Sequence, residues 1–293
     1  MIEEMTDVHR QGSIASRSPG RPLGAEPVIM ANSSVLIERI GGSAVITLNR
    51  PAVKNAIDSA TADAIAVALR TLRADEEVLA VVLTGAGGDF CAGGDVKGMG
   101  AGERTVEQRR AGMSRYRELA QAFMALDKPL IAAVDGVAFG AGLSMALFAD
   151  IVLVSTRARL AMVFHRMGLV PDVGAFFNLP RIVGLQRAKE LIYSAREFGA
   201  DEAVRMDLAL EALPPEALLP RAMELAGSFE GTSPIAFSLS KRALQASLQG
   251  DFDTMLEMEA SSQAIAGSSA YVRESIRRFG AKEPAQFRWP RRG

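Results

Sequence analysis

Two glycine-rich stretches carry the residues best placed to do chemistry. Asp89 to Asp95 reads DFCAGGD, and Ala138 to Leu143 reads AFGAGL. Each follows a run of apolar residues, VLAVVLTG from Val78 and KPLIAAVDG from Lys128, with the texture of a strand buried on both faces. Glycine lets a backbone approach a ligand closely. The second loop leads straight into the apolar helical stretch AGLSMALFA, which adds unpaired N–H groups and the positive end of a helix dipole. Two neighbouring strand ends can each aim one N–H at a single oxygen. Such an oxyanion hole gains about 2.7–4 kcal/mol of transition-state stabilisation per donor. Either loop taken alone is more simply a tight turn. Neither is a phosphate motif: the first lacks the GKS or GKT ending and a helix directly after its glycines.

Few groups could move a proton beside these loops. Asp172, in GLVPDVGAFF, follows a proline and precedes an apolar helical run. Its position leaves two roles open, an N-cap on the amides of Gly174 or Ala175 and a general base. Ser144, Asp172 and His165 make up a hydroxyl, an acid and an imidazole, but no GxSxG surrounds the serine, which argues against a hydrolase triad. A lone histidine is usually structural, and Cys91 reads as a small buried hydrophobe. One cysteine and two distant histidines form no metal site of usual spacing.

The elements that must hold these groups alternate. VLIERIGGSAVITLNRP reads as a hairpin turning at Gly41-Gly42 and ending at Pro51. Asp58 or Ser59 caps a helix with apolar positions Ile65, Ala68, Leu69 and Leu72. Residues 104–126 read as helical, and DIVLVS as a third buried strand. This strand–helix alternation predicts an α/β layer fold. After Pro180 the chain turns to amphipathic helices, which form either an intrachain core or a cover for a partner subunit.

The chain has 293 residues and a net charge of -1, so no general field favours nucleic acid or a membrane surface. No apolar run reaches the roughly 18 residues of a membrane helix. The single cysteine excludes a disulfide framework and fits the cytoplasm. The N-terminus has no apolar h-region of a secretory signal. Three regions are predicted: a disordered Ser/Pro/Gly/Arg tail over 1–32, a core over 33–227 and a helical region over 228–293.

The blocks ITLNRPAVKNAI, AVVLTGAGGDFCAGGDVKGM, KPLIAAVDGVAFGAGLSMALFADIVLVS and MGLVPDVGAFFNLPRIVG resemble, in order, those of the crotonase superfamily, the enoyl-CoA hydratase/isomerase family. The resemblance covers Ser33 to the C-terminus. It implies a crotonase-like spiral of ββα units followed by C-terminal helices that build a homotrimer or homohexamer. The implied ligand is an acyl-CoA thioester, with coenzyme A part of the substrate and no separate cofactor. The implied oxyanion donors are the N–H groups of Ala92 and Ala141. Gly93, Gly94, Asp95 and Val96 would lie along the CoA, with Lys54 and Lys97 flanking it. Gly140, Ser144 and Phe164 would line the rest of the site.

The sequence departs from the resembling hydratases at two positions. Where those enzymes carry two glutamates it has Ser144 and Phe164. Hydration needs one group to activate water and another to deliver a proton to carbon. A hydroxyl and a phenyl ring supply neither. The resemblance of GLVPDVG to the isomerase branch then assigns Asp172 as a single base for allylic isomerisation. A hydratase using atypical acids and a non-catalytic acyl-CoA binding protein remain as alternatives.

Overall fold

The computed structural model describes residues 29–98 and 105–291. β1 (Ile29–Asn32), β2 (Val35–Ile40) and β3 (Ser43–Leu48) form an antiparallel meander, and α1 (Ser59–Ala74) leads to β4 (Ala80–Gly85). α2 (Val106–Gly112) and α3 (Ser114–Ala125) lead to β5 (Leu130–Val134), then β6 (Val137–Phe139), α4 (Ala141–Ala146), β7 (Ile151–Ser155) and β8 (Arg159–Ala161). The remainder is α5 (Ala175–Val183), α6 (Leu185–Ser194), β9 (Glu197–Gly199), α7 (Ala200–Arg205), β10 (Glu211–Leu213), α8 (Pro215–Ser228), α9 (Pro234–Ala246), α10 (Phe252–Gly267) and α11 (Ala270–Gly280). The main sheet runs β1-β2-β3-β4-β5-β7-β10 and is parallel from β3 onward. A small second sheet runs β6-β8-β9.

The continuous apolar texture of the central strands has a simple cause. Side chains alternate across a strand. Ile46, Leu83 and Ala132 face a core shared with Ile65 and Leu69 of α1 and Leu119 and Phe123 of α3. Val45, Val82 and Ile131 face Leu218, Ala222 and Leu225 of α8 on the other side. Asp58 caps α1 as expected, its carboxylate accepting the Thr61 N–H at 2.8 Å.

The expected helical stretch is divided into α2 and α3. A Thr105–Gln108 capping box starts α2, and Met113 separates it from α3. The tail assigned to 1–32 is too long, because Ile29–Asn32 pair with β2. Residues 1–28 lie outside the described residues. No helix among the described residues is long and apolar enough to cross a membrane.

The last helices contrast with the core. α9 buries only Lys241, and α10 and α11 bury no residue. Leu244, Phe252, Ile276 and Phe279 are exposed. The C-terminal segment returns to the core, where Phe287 and Trp289 pack on Phe229 with ring centroids 6.3 and 5.9 Å away. Phe229 shares a cluster with α8, so the core reaches just past the boundary drawn at 228.

One buried side chain sets the geometry between β3 and the first glycine-rich loop. Asn55 accepts the Arg50 N–H at 2.8 Å and donates to the carbonyls of Ala86 at 2.9 Å and Asp89 at 2.7 Å. Its φ of +56° is one that asparagine tolerates better than most residues. Asn55→Ala leaves three backbone groups without their partner. It is expected to lower unfolding stability by about 2–4 kcal/mol, read from the urea midpoint.

Candidate active site

The two glycine-rich loops are stitched together by their backbones. Cys91 donates its N–H to the Val137 carbonyl at 2.9 Å and accepts the Phe139 N–H at 2.9 Å. On the far side, Ile57 donates to the Gly93 carbonyl and accepts the Asp95 N–H, both at 2.8 Å. Gly93 has φ +99°, and a Cβ there would lie 2.8 Å from the Phe139 carbonyl and 3.6 Å from the Ala141 nitrogen. A Cβ on Gly142 would overlap the Cys91 carbonyl. The first loop therefore lies directly across the first turn of α4, and glycine is what permits it.

This geometry corrects one predicted donor. The Ala92 N–H already donates to the Lys54 carbonyl at 2.9 Å, so it is not free to bind an oxyanion. The bridge to Ile57 uses the groups on either side of Gly94. Backbone groups alternate in direction along an extended strand, so the Gly94 N–H faces away from Ile57. It donates to no other described residue. Ala141 stands, as predicted, at the first position of α4, where a helix leaves its N–H without an internal partner. Gly140 holds φ +50° and ψ -121°, and its own N–H donates to the Ala161 carbonyl at 2.9 Å. Neither the Gly94 nor the Ala141 N–H donates to a described residue.

Charged groups beside the first loop are committed to each other. Arg50 pairs with Asp95 at 3.0 Å and Asp58 at 3.2 Å, so Asp95 serves the loop's shape. Lys54 pairs with Asp89 at 3.4 Å. Val96 is exposed at the start of a single turn of helix (Val96–Gly98), and Lys97 beside it is exposed. Cys91 is fully buried, and burial pushes its thiol up to about 12, as expected of an inert packing residue.

The positions of the missing glutamates are apolar or closed. Ser144 is 0% exposed, and its hydroxyl donates to the Gly140 carbonyl at 3.1 Å, so it offers no donor to a ligand. Phe164 is buried, its ring within 3.6 Å of where a Gly140 Cβ would stand, and it shields the second loop. His165 is exposed and stacks on Tyr193 at 6.0 Å, with no part in the site.

Asp172 stands apart from every other acid. Its carboxylate does not cap α5. That capping position belongs to Gly174 and has no side-chain bond, while the Ala175 N–H goes to the Asp172 backbone carbonyl at 3.1 Å. The Asp172 Oδ1 is buried without a hydrogen-bond partner. Burial pushes the carboxyl up to about 6. Tyr116 on α3, absent from the sequence reading, ties this acid to the loops. Its phenol is raised first by burial, then by the charges of Asp172, Asp58 and Asp95. Asp58 and Asp95 are held by Arg50, and Asp172 is the unpaired member of the three. Tyr116 was missed because it sits in an ordinary amphipathic run, SRYRELAQAF, with no motif around it.

Comparison with known proteins agrees with this geometry. The enoyl-CoA hydratase/isomerase family profile matches residues 38–290. A short-chain-enoyl-CoA hydratase of Clostridium acetobutylicum is 37% identical over 79% of this chain and 88% of its own. The 1,2-epoxyphenylacetyl-CoA isomerase of Escherichia coli is 34% identical over 84% of this chain and 95% of its own. Among solved structures, an enoyl-CoA hydratase/isomerase from Cupriavidus metallidurans superposes with a TM-score of 0.82 at 40% identity, covering 89% of this chain and 98% of that one. The fold is the crotonase type, a mixed α/β core followed by C-terminal helices, and the chain belongs to the enoyl-CoA hydratase/isomerase family of acyl-CoA enzymes.

Proposed function

We propose that the protein is an enoyl-CoA isomerase with a single base, Asp172. The observation that carries this reading is the half-buried Asp172 carboxyl, its Oδ1 buried without a partner and its proton held up to about 6, in a site with no acid at 144 or 164. The Asp172 carboxylate removes a proton from the carbon next to the thioester or from the allylic carbon. The electron pair moves to the thioester oxygen, which becomes an enolate held by the Gly94 and Ala141 N–H groups. The same proton returns at the other carbon as the electrons flow back, and the double bond has moved. A base with a pKa near 6 is largely ionised at neutral pH, yet its conjugate acid still gives the proton back readily. No atom enters or leaves, so a second carboxyl for water is not required.

A hydratase is the second reading, because the relative at 37% identity carries that name. Turnover of 3-enoyl-CoA and 2-enoyl-CoA separates the two. Isomerisation without accumulation of 3-hydroxyacyl-CoA supports the first. Hydration as the faster reaction overturns it, and no turnover of either thioester points to a binding protein.

Asp172→Asn keeps the size of the side chain but cannot accept a proton. Isomerisation should fall by about 10²-fold or more, with CoA-thioester binding retained. An unchanged rate excludes Asp172 as the base.

The pH dependence has a definite sign. For the wild type, kcat/KM should rise with pH and level off above about 6, as Asp172 ionises. The folded carboxyl holds its proton more tightly than an ordinary aspartate, which titrates near 3.8. Its favourable contribution to stability is therefore complete below about 4 and is lost as pH rises through about 6. Asp172→Asn removes that loss and should be at least as stable as wild type at pH 8, by thermal unfolding.

The apolar faces of α10 and α11 are proposed to be covered by other copies of the chain in a trimer or hexamer. Light scattering at micromolar concentration should give three or six times the chain mass of 31.2 kDa, and a monomer contradicts this.

A further inference from the structure

The turn that presents Asp172 adopts a conformation that its own residues disfavour. Val173 has φ +47° and Gly174 has φ +73°. Glycine at 174 is dictated by space, since a Cβ there would lie 2.5 Å from the Phe148 ring. That ring is itself stacked on Phe123 at 5.1 Å and cannot readily move aside. Val173 has no such excuse. A β-branched residue in the left-handed region is strained, and such strain persists only where the surroundings over-determine it. Burial is what over-determines it here. The Val173 side chain is 4% exposed and belongs to the main hydrophobic core, with Phe164, Ala175 and Leu179.

The direction of Asp172 follows from this turn. An aspartate just before a helix normally folds its carboxylate onto the first amides. Here the Asp172 backbone carbonyl takes the Ala175 N–H, and the side chain is left with a buried Oδ1 that bonds to nothing. Released from its left-handed turn, the carboxylate could swing to the α5 amides or to water. Either would stabilise its ionised form.

We propose that Val173 is a positioning residue: its buried side chain locks the left-handed turn that keeps the Asp172 carboxylate off the α5 amides. The groups that could compete for this carboxylate are few. Tyr116 faces it from α3. α4 carries no titratable side chain, and Arg181 of α5 bonds to the Phe177 carbonyl at 2.8 Å. No lysine, arginine or histidine among the described residues pairs with Asp172. The consequence for rate rests on Asp172 being the base; the consequence for its titration does not.

The test is Val173→Gly, which adopts either sign of φ freely and has no side chain to anchor. The Asp172 carboxyl is followed by carbon-13 NMR from pH 3 to 9 and identified as the signal missing in Asp172→Asn. In the wild type it should titrate near 6. In Val173→Gly the midpoint should fall by about 1–2 pH units, toward that of an ordinary aspartate. The pH midpoint of kcat should fall with it, and kcat on the plateau by about 10-fold with KM little changed. A midpoint equal to wild type overturns the proposal. If Val173→Gly does not fold, Val173→Ala, which loses only two methyl groups, should move the midpoint in the same direction by less, and no movement in that variant overturns it equally. A lowered midpoint with an unchanged rate upholds the lock and instead removes Asp172 from the chemistry. A Val173-dependent titration beside an inactive Asp172→Asn supports both.

Discussion

The backbone of Cys91–Gly93 lies against the backbone of Phe139–Gly142, with no room for a side chain between them. Most of the site follows from that contact. It can form only where two parallel strands end side by side, which β4 and β5 do in the main sheet. It leaves the amides of Gly94 and Ala141 without an acceptor among the described residues. It also explains why the small side chains cluster here while the large ones, Phe90, Phe123 and Leu143, lie fully in the core behind. Asn55 and Arg50 act at one remove, pinning the loop so that the contact keeps its register.

The electrostatics of the site divide into committed and uncommitted charge. Asp58, Asp89 and Asp95 are each matched by Arg50 or Lys54. Asp172 has no ion-pair partner among the described residues, and burial raises its carboxyl to about 6. A cation beside it would lower its basicity, as would a capping bond to the helix amides. The turn at Val173 and Gly174 denies it the second, and the apolar α4 withholds the first. A group can be both ionisable and reactive only if its surroundings withhold the usual compensations, and this segment does so with backbone conformation.

The parts of the fold legible in the sequence were those with a strong local signal. The hairpin at Gly41-Gly42, the Asp58 cap and the three central strands come from turn chemistry, capping chemistry and unbroken apolar runs, all read within a few residues. The break at Met113 was not legible, because every residue from Val106 to Ala125 is compatible with one helix and tertiary packing decides otherwise. β1 was hidden in a polar context, and its pairing with β2 is long-range information. In the site, the two loops and the loss of both glutamates were plain from residue types. Ala92 was misassigned because its N–H is taken by the Lys54 carbonyl, a partner distant in sequence, and only hydrogen-bond partners reveal which amide of the loop is free. The capping role open to Asp172 was reasonable from its position. It fails because φ at Val173 has a sign that no residue pattern announces.

The amides of Gly94 and Ala141 have a consequence for inheritance. They belong to the main chain, so no codon change at either position deletes an N–H unless it introduces proline. Positions 144, 164 and 172, by contrast, act through side chains on separate elements, and each is altered by one substitution. A lineage carrying this scaffold can exchange its acids, lose them or move them while the charge-binding half is copied unaltered. Reaction type can therefore drift between close relatives faster than overall identity records, and the few residues around Asp172 hold more information about the chemistry than the remaining chain.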